Sequence, residues 1–407
     1  MNKLSRLSLA VALAIGVSGS AFAGNTATVT STGDFNDVLV NQTGDLHNAT
    51  VTQTGDSNTS VTAQSAVNNN STTTQKFDNA NGSVSQSGVD NTSTLEQGHS
   101  DQATVTQSGN TNSSNIDQTI DSISGDNTAT VLQTGDSNTS NIQQDIRSDA
   151  IVFQSGDDNT ASISQRLSGF SEDDFAYIDQ SGSDNTASVS QNDRDVALVH
   201  QTGDLNTANV VQGGTDNLAT VDQITSNAAD VSQSGNFNTA NVLQNFNNTA
   251  VVDQSGNGNT ASVDQTGAVA FASTGDNDAN VSQGGNNNSA TVNQDIHNSA
   301  AVSQSGNDNT ALVVQGSTNI VDIAQSGDFN VADVYQYAYN TATVSQSGIG
   351  TAVDPNVVDI NQNFINDTAF ATQTGGAGNL ATINQNGGGQ FASVTQNGSF
   401  NTATVNH

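Results

Sequence analysis

The stretch Asn259-Thr260-Ala261-Ser262-Val263-Asp264-Gln265 alternates between two kinds of side chain. Starting from Asn259, every second residue is an amide or a small aliphatic residue, and the residues between them are hydroxyl-bearing or acidic. A period of two is typical of a β-strand with one buried and one solvent-exposed face. The unit returns, lightly varied, from Asn25 to His407, so internal repetition predicts the fold.

The position held by Gln265 recurs at intervals of usually 10 or 11 residues, as at Gln244 and Gln254, and we also assign Ser273 to it. Two unlike links alternate between the strands. One link has Gly two places after Gln, and glycine readily adopts the positive φ of a tight turn. Two strands and two turns therefore close one coil of about 21 or 22 residues. We predict an all-β fold, a parallel β-solenoid of about 17 strand-turn-strand coils with two stacked parallel sheets and amyloid-like cross-β character.

Stacking identical coils places like residues on like. Amide side chains carry both donors and acceptors, so a column of them can hydrogen-bond along the stack. A meander of hairpins would not use this identity and would favour two-residue Asn-Gly or Asp-Gly loops. The predicted core ladder is represented by Asn259, Ala261, Val263, Gln265, Asn309, Ala311, Val313 and Gln315.

One coil departs from this composition. Around Gln64 and Gln75 the predicted inward residues include Ser60, Thr62, Ser71 and Thr73, which carry few apolar groups. We predict that this coil is the weakest. Extra residues between a Gln position and the next Asn position are predicted to bulge from turns, at Thr119–Asp126, at Arg166–Asp173 and around Pro355.

Residues 1–23 have the features of a secretory signal peptide. Lys3 and Arg6 precede a short apolar run, and Ala21-Phe22-Ala23 supplies a cleavage site. We therefore divide the chain into a signal peptide, residues 1–23, and a repeat β-solenoid, residues 24–407. The mature chain would carry four basic and 39 acidic residues, a formal charge of 4 − 39 = −35. Such a charge argues against nucleic-acid partners, and nothing after the leader predicts membrane insertion.

The segment from Gln254 to Gln265 resembles the curlin repeat, Gln-x-Gly-x-Gly-Asn-x-Ala-x-x-x-Gln. The resemblance recurs over essentially the whole mature chain. It implies a subunit of curli, the extracellular functional amyloid fibres that serve cell adhesion and biofilm formation. Family members leave the cell unfolded through an outer-membrane pore, with a periplasmic chaperone, and polymerise on a nucleator subunit.

This sequence departs from the family pattern in two ways. The second Gly is usually another residue, as at Asp158, and the number of repeats is several times that of a typical member. The resemblance therefore implies a major-curlin-like subunit with an unusually large number of repeats, and leaves open whether it is a major subunit or a nucleator.

The sequence predicts no catalytic residue, cofactor site or metal site. The five histidines are scattered and lack partners at ligand spacing. Aspartates in the Gly-Asp turns could hold calcium if stacked, although we favour a solvated acidic face. They are Asp34, Asp45, Asp56, Asp136, Asp157, Asp204 and Asp328.

The alternative function is a monomeric acidic β-solenoid acting as an adhesin or a calcium-binding rod. Ice binding is less favoured, because the outward Thr-x-Thr pairs are not kept from coil to coil.

The two ends of the repeat carry the function that we favour. Both termini keep the full repeat pattern, and solenoids that stay monomeric need atypical polar caps. An unpaired strand edge is a template for another chain. We therefore predict self-assembly edges at Asn25, Ala27, Val29, Asn401, Ala403 and Val405.

Overall fold

The computed structural model describes residues 11–15, 24–119, 125–166, 173–267 and 275–407. Within these ranges the regular secondary structure is entirely β-strand. None of the described segments forms a helix that is long and apolar enough to cross a membrane. The chain divides into two compact units, the N-terminal unit Met1–Asp204 and the C-terminal unit Leu205–His407.

The N-terminal unit contains seventeen described strands: β1 Val11–Ile15, β2 Thr26–Thr32, β3 Asp37–Asp45, β4 Asn48–Thr54, β5 Thr59–Val67, β6 Asn70–Gln75, β7 Asn81–Val89, β8 Thr92–Gln97, β9 Gln102–Asn110, β10 Ser113–Gln118, β11 Thr128–Thr134, β12 Thr139–Gln144, β13 Asp149–Ser155, β14 Thr160–Gln165, β15 Phe175–Ser181, β16 Thr186–Gln191 and β17 Val196–Thr202.

The C-terminal unit contains eighteen described strands: β18 Thr207–Gln212, β19 Leu218–Thr225, β20 Ala228–Gln233, β21 Thr239–Phe246, β22 Thr249–Gln254, β23 Thr260–Gln265, β24 Asp278–Gln283, β25 Ser289–Ile296, β26 Ser299–Gln304, β27 Thr310–Ser317, β28 Ile320–Gln325, β29 Asn330–Ala338, β30 Thr341–Gln346, β31 Asn356–Ile365, β32 Thr368–Thr374, β33 Leu380–Gln385, β34 Phe391–Asn397 and β35 Thr402–Asn406.

Each unit is a parallel β-solenoid. Within each unit, strands two places apart along the chain pair in parallel, so odd-numbered strands form one sheet and even-numbered strands form the other. Two strands make one coil, which gives about eight coils from β2 to β17 and about nine from β18 to β35. The predicted fold class is confirmed.

Like residues stack on like, as the repeat predicts. In the C-terminal unit Val263 lies in register with Val242 on one side and Val292 on the other. Ala and Val at the inward positions are almost completely buried. Full burial of a valine side chain contributes about 1.5–3 kcal/mol, and each coil buries its valines only against its neighbours.

The glycine-containing turns differ between the units. The glycines two places after the glutamine lie at or just after the ends of odd-numbered strands in the N-terminal unit, at Gly88, Gly109, Gly135, Gly156, Gly182 and Gly203, and of even-numbered strands in the C-terminal unit, at Gly214, Gly235, Gly256, Gly285, Gly306 and Gly327. Gly156 has φ of 106°, and a Cβ there would lie 2.2 Å from the carbonyl oxygen of Gly182. At Gly256 a Cβ would lie 1.7 Å from the corresponding oxygen of Gly285. Close approach of successive coils excludes side chains at both places.

The long insertions lie between strands, as predicted. Residues 120–124, 167–172 and 268–274, the last including Ser273, lie outside the described residues. Gln254 bonds directly to Gln283, and Gln265 bonds directly to Gln294. The glutamine columns therefore run from coil to coil without Ser273, so its assignment to a glutamine position is wrong.

Candidate assembly edges and the amide ladders

A column of buried glutamines joins successive coils. The Nε2 atom of Gln265 donates to Oε1 of Gln294 over 2.8 Å, and also to the carbonyl oxygen of Thr249 on the facing sheet over 3.1 Å. Gln315 makes the equivalent pair of bonds. A buried amide without partners would destabilise the fold. Each glutamine instead fixes both the coil stacking and the distance between the sheets.

A column of asparagines performs the same task beside the turns. The backbone N–H of Asn288 donates to Oδ1 of Asn259 over 2.9 Å, and Nδ2 of Asn259 donates to the carbonyl oxygen of Gly285 over 2.8 Å. Two coils later Asn309 makes both contacts, accepting the N–H of Asn330 and donating to the carbonyl oxygen of Gly327. In the first coils His47 takes this position, where its ring accepts the N–H of Asn69.

The predicted core-ladder residues all lie in the interior of the C-terminal unit. Each is at most 1% exposed: Asn259, Ala261, Val263, Gln265, Asn309, Ala311, Val313 and Gln315. The small aliphatic side chains fill the space between the sheets, and the amides stand at its margins. This arrangement leaves no room for a bound molecule between the sheets at these coils.

The N-terminal unit replaces some of these aliphatic groups by hydroxyls. Thr62 lies in register between Val40 and Val84, and Thr73 between Val51 and Leu95. Both threonines are at most 1% exposed, as are Ser60 and Ser71. Among the described residues the hydroxyls of these four side chains have no hydrogen-bond partner. Such burial costs about 1–3 kcal/mol per group.

Aspartates replace asparagine at three positions of the N-terminal unit, Asp101, Asp174 and Asp195. Asp101 is fully buried, and its carboxylate accepts the N–H of Gly98 over 2.7 Å and both the N–H and Nδ2 of Asn127 over 3.1 Å. Burial in the protein raises the pKa of Asp101 to about 6, although these hydrogen bonds oppose the shift. The Asp101 carboxyl therefore takes up its proton at a higher pH than a solvent-exposed aspartate does.

The turn aspartates connect neighbouring coils. The N–H of Asp34 donates to Oδ1 of Asp56 over 2.6 Å, and the N–H of Asp136 donates to Oδ1 of Asp157 over 2.8 Å. Asp204 and Asp328 accept backbone N–H groups in the same way. Within the described ranges no three acidic, His or Cys residues are grouped so that they could hold a metal ion.

The predicted assembly edges lie on the outermost repeat strands. Within the described residues β2 pairs only with β4, and β35 pairs only with β33. Consequently the inward residues Ala27, Val29, Ala403 and Val405 are only half-buried, whereas their equivalents inside each unit are covered on both sides. The amides Asn25 and Asn401 are also partly exposed.

A strand from the predicted signal peptide lies beside the first coil. The backbone of β1, Val11–Ile15, pairs in parallel with Val38–Gln42 of β3. On this side the edge of β3 is thus occupied while residues 11–15 are attached. The sequence predicts that this segment is removed and gives no sign of this pairing.

The family model of the Curlin associated repeat matches the chain at residues 33–65, 246–267 and 376–406. No curated protein matches the chain significantly. The matched segments lie in both units and include the last coil with β35. This repeat family is structural and non-enzymatic, and it implies an extracellular surface fibre. The predicted resemblance is confirmed: the chain carries curlin associated repeats on a parallel β-solenoid, which fits a curli-like structural subunit.

Proposed function

We propose that this protein is a secreted structural subunit that self-assembles end to end into extracellular, curli-like amyloid fibres of the biofilm matrix. The observation that carries the proposal is the half-buried state of Ala27, Val29, Ala403 and Val405 on strands paired on one side only. A second copy stacked on either edge would give these residues the environment that Ala261 already has.

The terminal strands match each other in sequence. Asn25-Thr26-Ala27-Thr28-Val29 and Asn401-Thr402-Ala403-Thr404-Val405 are the same pentapeptide. In a junction that continues the path of the chain, β34 and β35 of one copy pair with β2 and β3 of the next, and these repeat strands place Ala392 on Ala27 and Val394 on Val29 in the like-on-like register seen inside each unit. Each junction would add ladder hydrogen bonds along two strands and bury apolar side chains from both copies. Because both edges have the repeat sequence, each added copy leaves a new unpaired edge of the same kind at the end of the fibre.

The export route is part of the same proposal. Residues 1–23 direct the chain out of the cytoplasm, and their removal takes away β1, the strand that covers β3. The resemblance adds a periplasmic chaperone, an outer-membrane pore and a nucleator as partners. A chain whose β3 edge becomes free only when residues 1–23 are removed is suited to polymerise outside the cell.

The charge of the mature chain opposes this assembly. With 39 acidic residues, neighbouring copies repel each other, and the repulsion weakens with added salt or protonation. We expect elongation to accelerate at acidic pH and at raised ionic strength. Equal elongation rates across pH 4–7 and across salt concentrations would contradict this part of the proposal.

Seeded growth of residues 24–407 tests the proposal as a whole. Purified monomer should polymerise when sonicated fibres are added, with a rate proportional to the number of fibre ends. A variant with Ala27→Lys and Ala403→Lys should fold but elongate poorly, because both half-buried sites would bury a charge at the junction. Monomer that persists at high concentration with seeds would instead support the monomeric rod, and circular dichroism with calcium would then test that alternative.

A further inference from the structure

The first and the last turns of the repeat carry an exposed phenylalanine in the same position. Gly33-Asp34-Phe35-Asn36 follows β2, and Gly398-Ser399-Phe400-Asn401 follows β34. Phe35 has φ of 61° and is 79% exposed, and Phe400 has φ of 57° and is 69% exposed. Since both turns follow even-numbered strands, end-to-end stacking that continues the path of the chain brings them into neighbouring coils.

We propose that Phe400 of one copy stacks on Phe35 of the next and so fixes the register of the junction. This inference rests on the proposed function and specifies its contact surface. Successive coils are about 4.8 Å apart, and aromatic pairs favour ring centroids 4.5–7 Å apart. The N-terminal unit already contains such a pair between adjacent turns, since Phe77 and His99 stack with ring centroids 4.6 Å apart.

The hydrogen-bonding groups of the two turns are complementary. Inside the N-terminal unit the N–H of Ser183 donates to the carboxylate of Asp204 in the next coil, and the N–H of Ser57 donates to the carbonyl of Asp34 in the preceding one. Continued across a junction, the N–H of Ser399 would donate to the carboxylate of Asp34, and the N–H of Phe35 to the carbonyl of Ser399. Within the described chain, neither the N–H of Ser399 nor the N–H of Phe35 has another acceptor.

The other pair of terminal turns does not match in this way. The connection from β33 to β34 is Asn386-Gly387-Gly388-Gly389-Gln390, whereas the connection from β3 to β4 contains Leu46 and is shorter. A junction rotated by half a coil would place the Phe400 turn beside the Leu46 turn and lose both the aromatic pair and the Ser–Asp bond. The sequences of the turns therefore favour one of the two ways to stack.

Cysteine cross-linking within fibres tests the contact directly, because the protein has no cysteine of its own. Fibres grown from an equal mixture of Phe35→Cys and Phe400→Cys chains, residues 24–407, should form disulfide-linked dimers on oxidation. Disulfides span Cα–Cα distances of about 4.4–6.8 Å, which includes the coil spacing. Phe237→Cys mixed with Phe400→Cys is the control, since Phe237 has φ of 57° and 65% exposure in an internal turn.

Serine variants give a second readout. Ser57 occupies the equivalent turn position with φ of 62°, so serine fits the turn. Phe35→Ser and Phe400→Ser should each raise the critical concentration for growth by about three- to ten-fold, the effect of losing one aromatic pair, and Phe237→Ser should leave it unchanged.

The outcomes separate the two proposals. If fibres form but dimers are no more abundant than in the Phe237 control, or Phe400→Cys cross-links to Leu46→Cys instead, the contact is wrong and the fibre subunit stands. If the unsubstituted chain forms no fibres, the proposed function itself fails.

Discussion

The hydroxyl-filled coil of the N-terminal unit and the aliphatic coils of the C-terminal unit share one backbone arrangement and differ in their filling. Thr62 and Thr73 stand where Val242 and Val263 stand in the other unit, and the glutamine column runs past both pairs. The amide ladders therefore set the register in both kinds of coil. We expect the aliphatic side chains to determine the local free energy of unfolding of each coil. Regions with the same topology can thus differ widely in local stability.

The bond between turns is accepted by carboxylates in the N-terminal unit but mostly by amide oxygens in the C-terminal unit, where Asp328 is an exception. In the N-terminal unit Asp136 donates its N–H to a carboxylate, that of Asp157, whereas in the C-terminal unit Asn236 donates to an amide oxygen, that of Asn257. The N-terminal unit alone, among described residues, has an acid with a pKa raised to about 6 by burial. The N-terminal unit should therefore respond more strongly to pH.

The largest expected effect is the pH dependence that Asp101 gives to the N-terminal unit. Because its folded pKa of about 6 exceeds the ordinary aspartate pKa of 3.8, the folded chain binds the proton more tightly than the unfolded chain. Stability should rise as pH falls from about 7 to about 4, by roughly 3 kcal/mol at most. Urea unfolding of the soluble mature chain at several pH values measures this.

Asp101→Asn is the control for that pH dependence. It removes the titrating group, so the variant should show a smaller stability difference between pH 7 and pH 4 than the parent. Asp295 and Asp333 in the C-terminal unit also have raised pKa values from desolvation, and they should supply the remainder. An unchanged pH profile in Asp101→Asn would contradict the assignment.

Replacing a buried valine by threonine should lower the local stability of a coil in the C-terminal unit. Val263→Thr keeps the shape of a fully buried side chain and places an unpartnered hydroxyl between the sheets. We expect a loss of about 2 kcal/mol, measured as faster hydrogen exchange in β21, β23 and β25. The outward Thr260→Val should change exchange little, and equal effects at the two sites would show that burial is not the cause.

The reverse exchange should strengthen the weak coil. Thr62→Val and Thr73→Val each remove a buried hydroxyl without a partner among the described residues, so each should gain about 1–2 kcal/mol. Hydrogen exchange in β5 and β6 should slow down in both variants. A loss of protection instead would mean that the hydroxyls have partners that stabilise this coil.

The smallest effect is expected in the turns. Asp157→Asn keeps the acceptor for the N–H of Asp136, as Asn257 shows in the other unit, so stability should change by less than about 0.5 kcal/mol. Asp157→Ala removes the acceptor and should cost about 1 kcal/mol. If the carboxylates instead served as calcium ligands, Asp157→Asn would lose a calcium-dependent stabilisation that the parent shows.

Much of the fold follows from the sequence because the pattern is simple. Alternation from Asn259 to Gln265 predicts which side chains are buried, and identical units predict parallel stacking in register. The hydroxyls at Thr62 and Thr73 could be read in the same way, since their positions in the repeat are unambiguous.

The remainder depends on backbone geometry that periodicity does not encode. Ser273 fits the spacing of the repeat, as Ser31 does, but only strand pairing shows that the ladder passes from Gln254 to Gln283. Likewise, the role of Asp157 depends on where the turn at Asp136 aims its N–H. The raised pKa of Asp101 could have been suspected from an acid in an asparagine position, although its size follows from burial.

The most direct test of the account is fibre diffraction from aligned assemblies of residues 24–407, with electron microscopy of the same sample. Stacked parallel coils that continue from copy to copy predict thin filaments with a meridional reflection at about 4.7–4.8 Å, the strand spacing along the fibre axis. Filaments whose strand spacing lies across the axis, or a mature chain that stays monomeric in the presence of seeds, would contradict it.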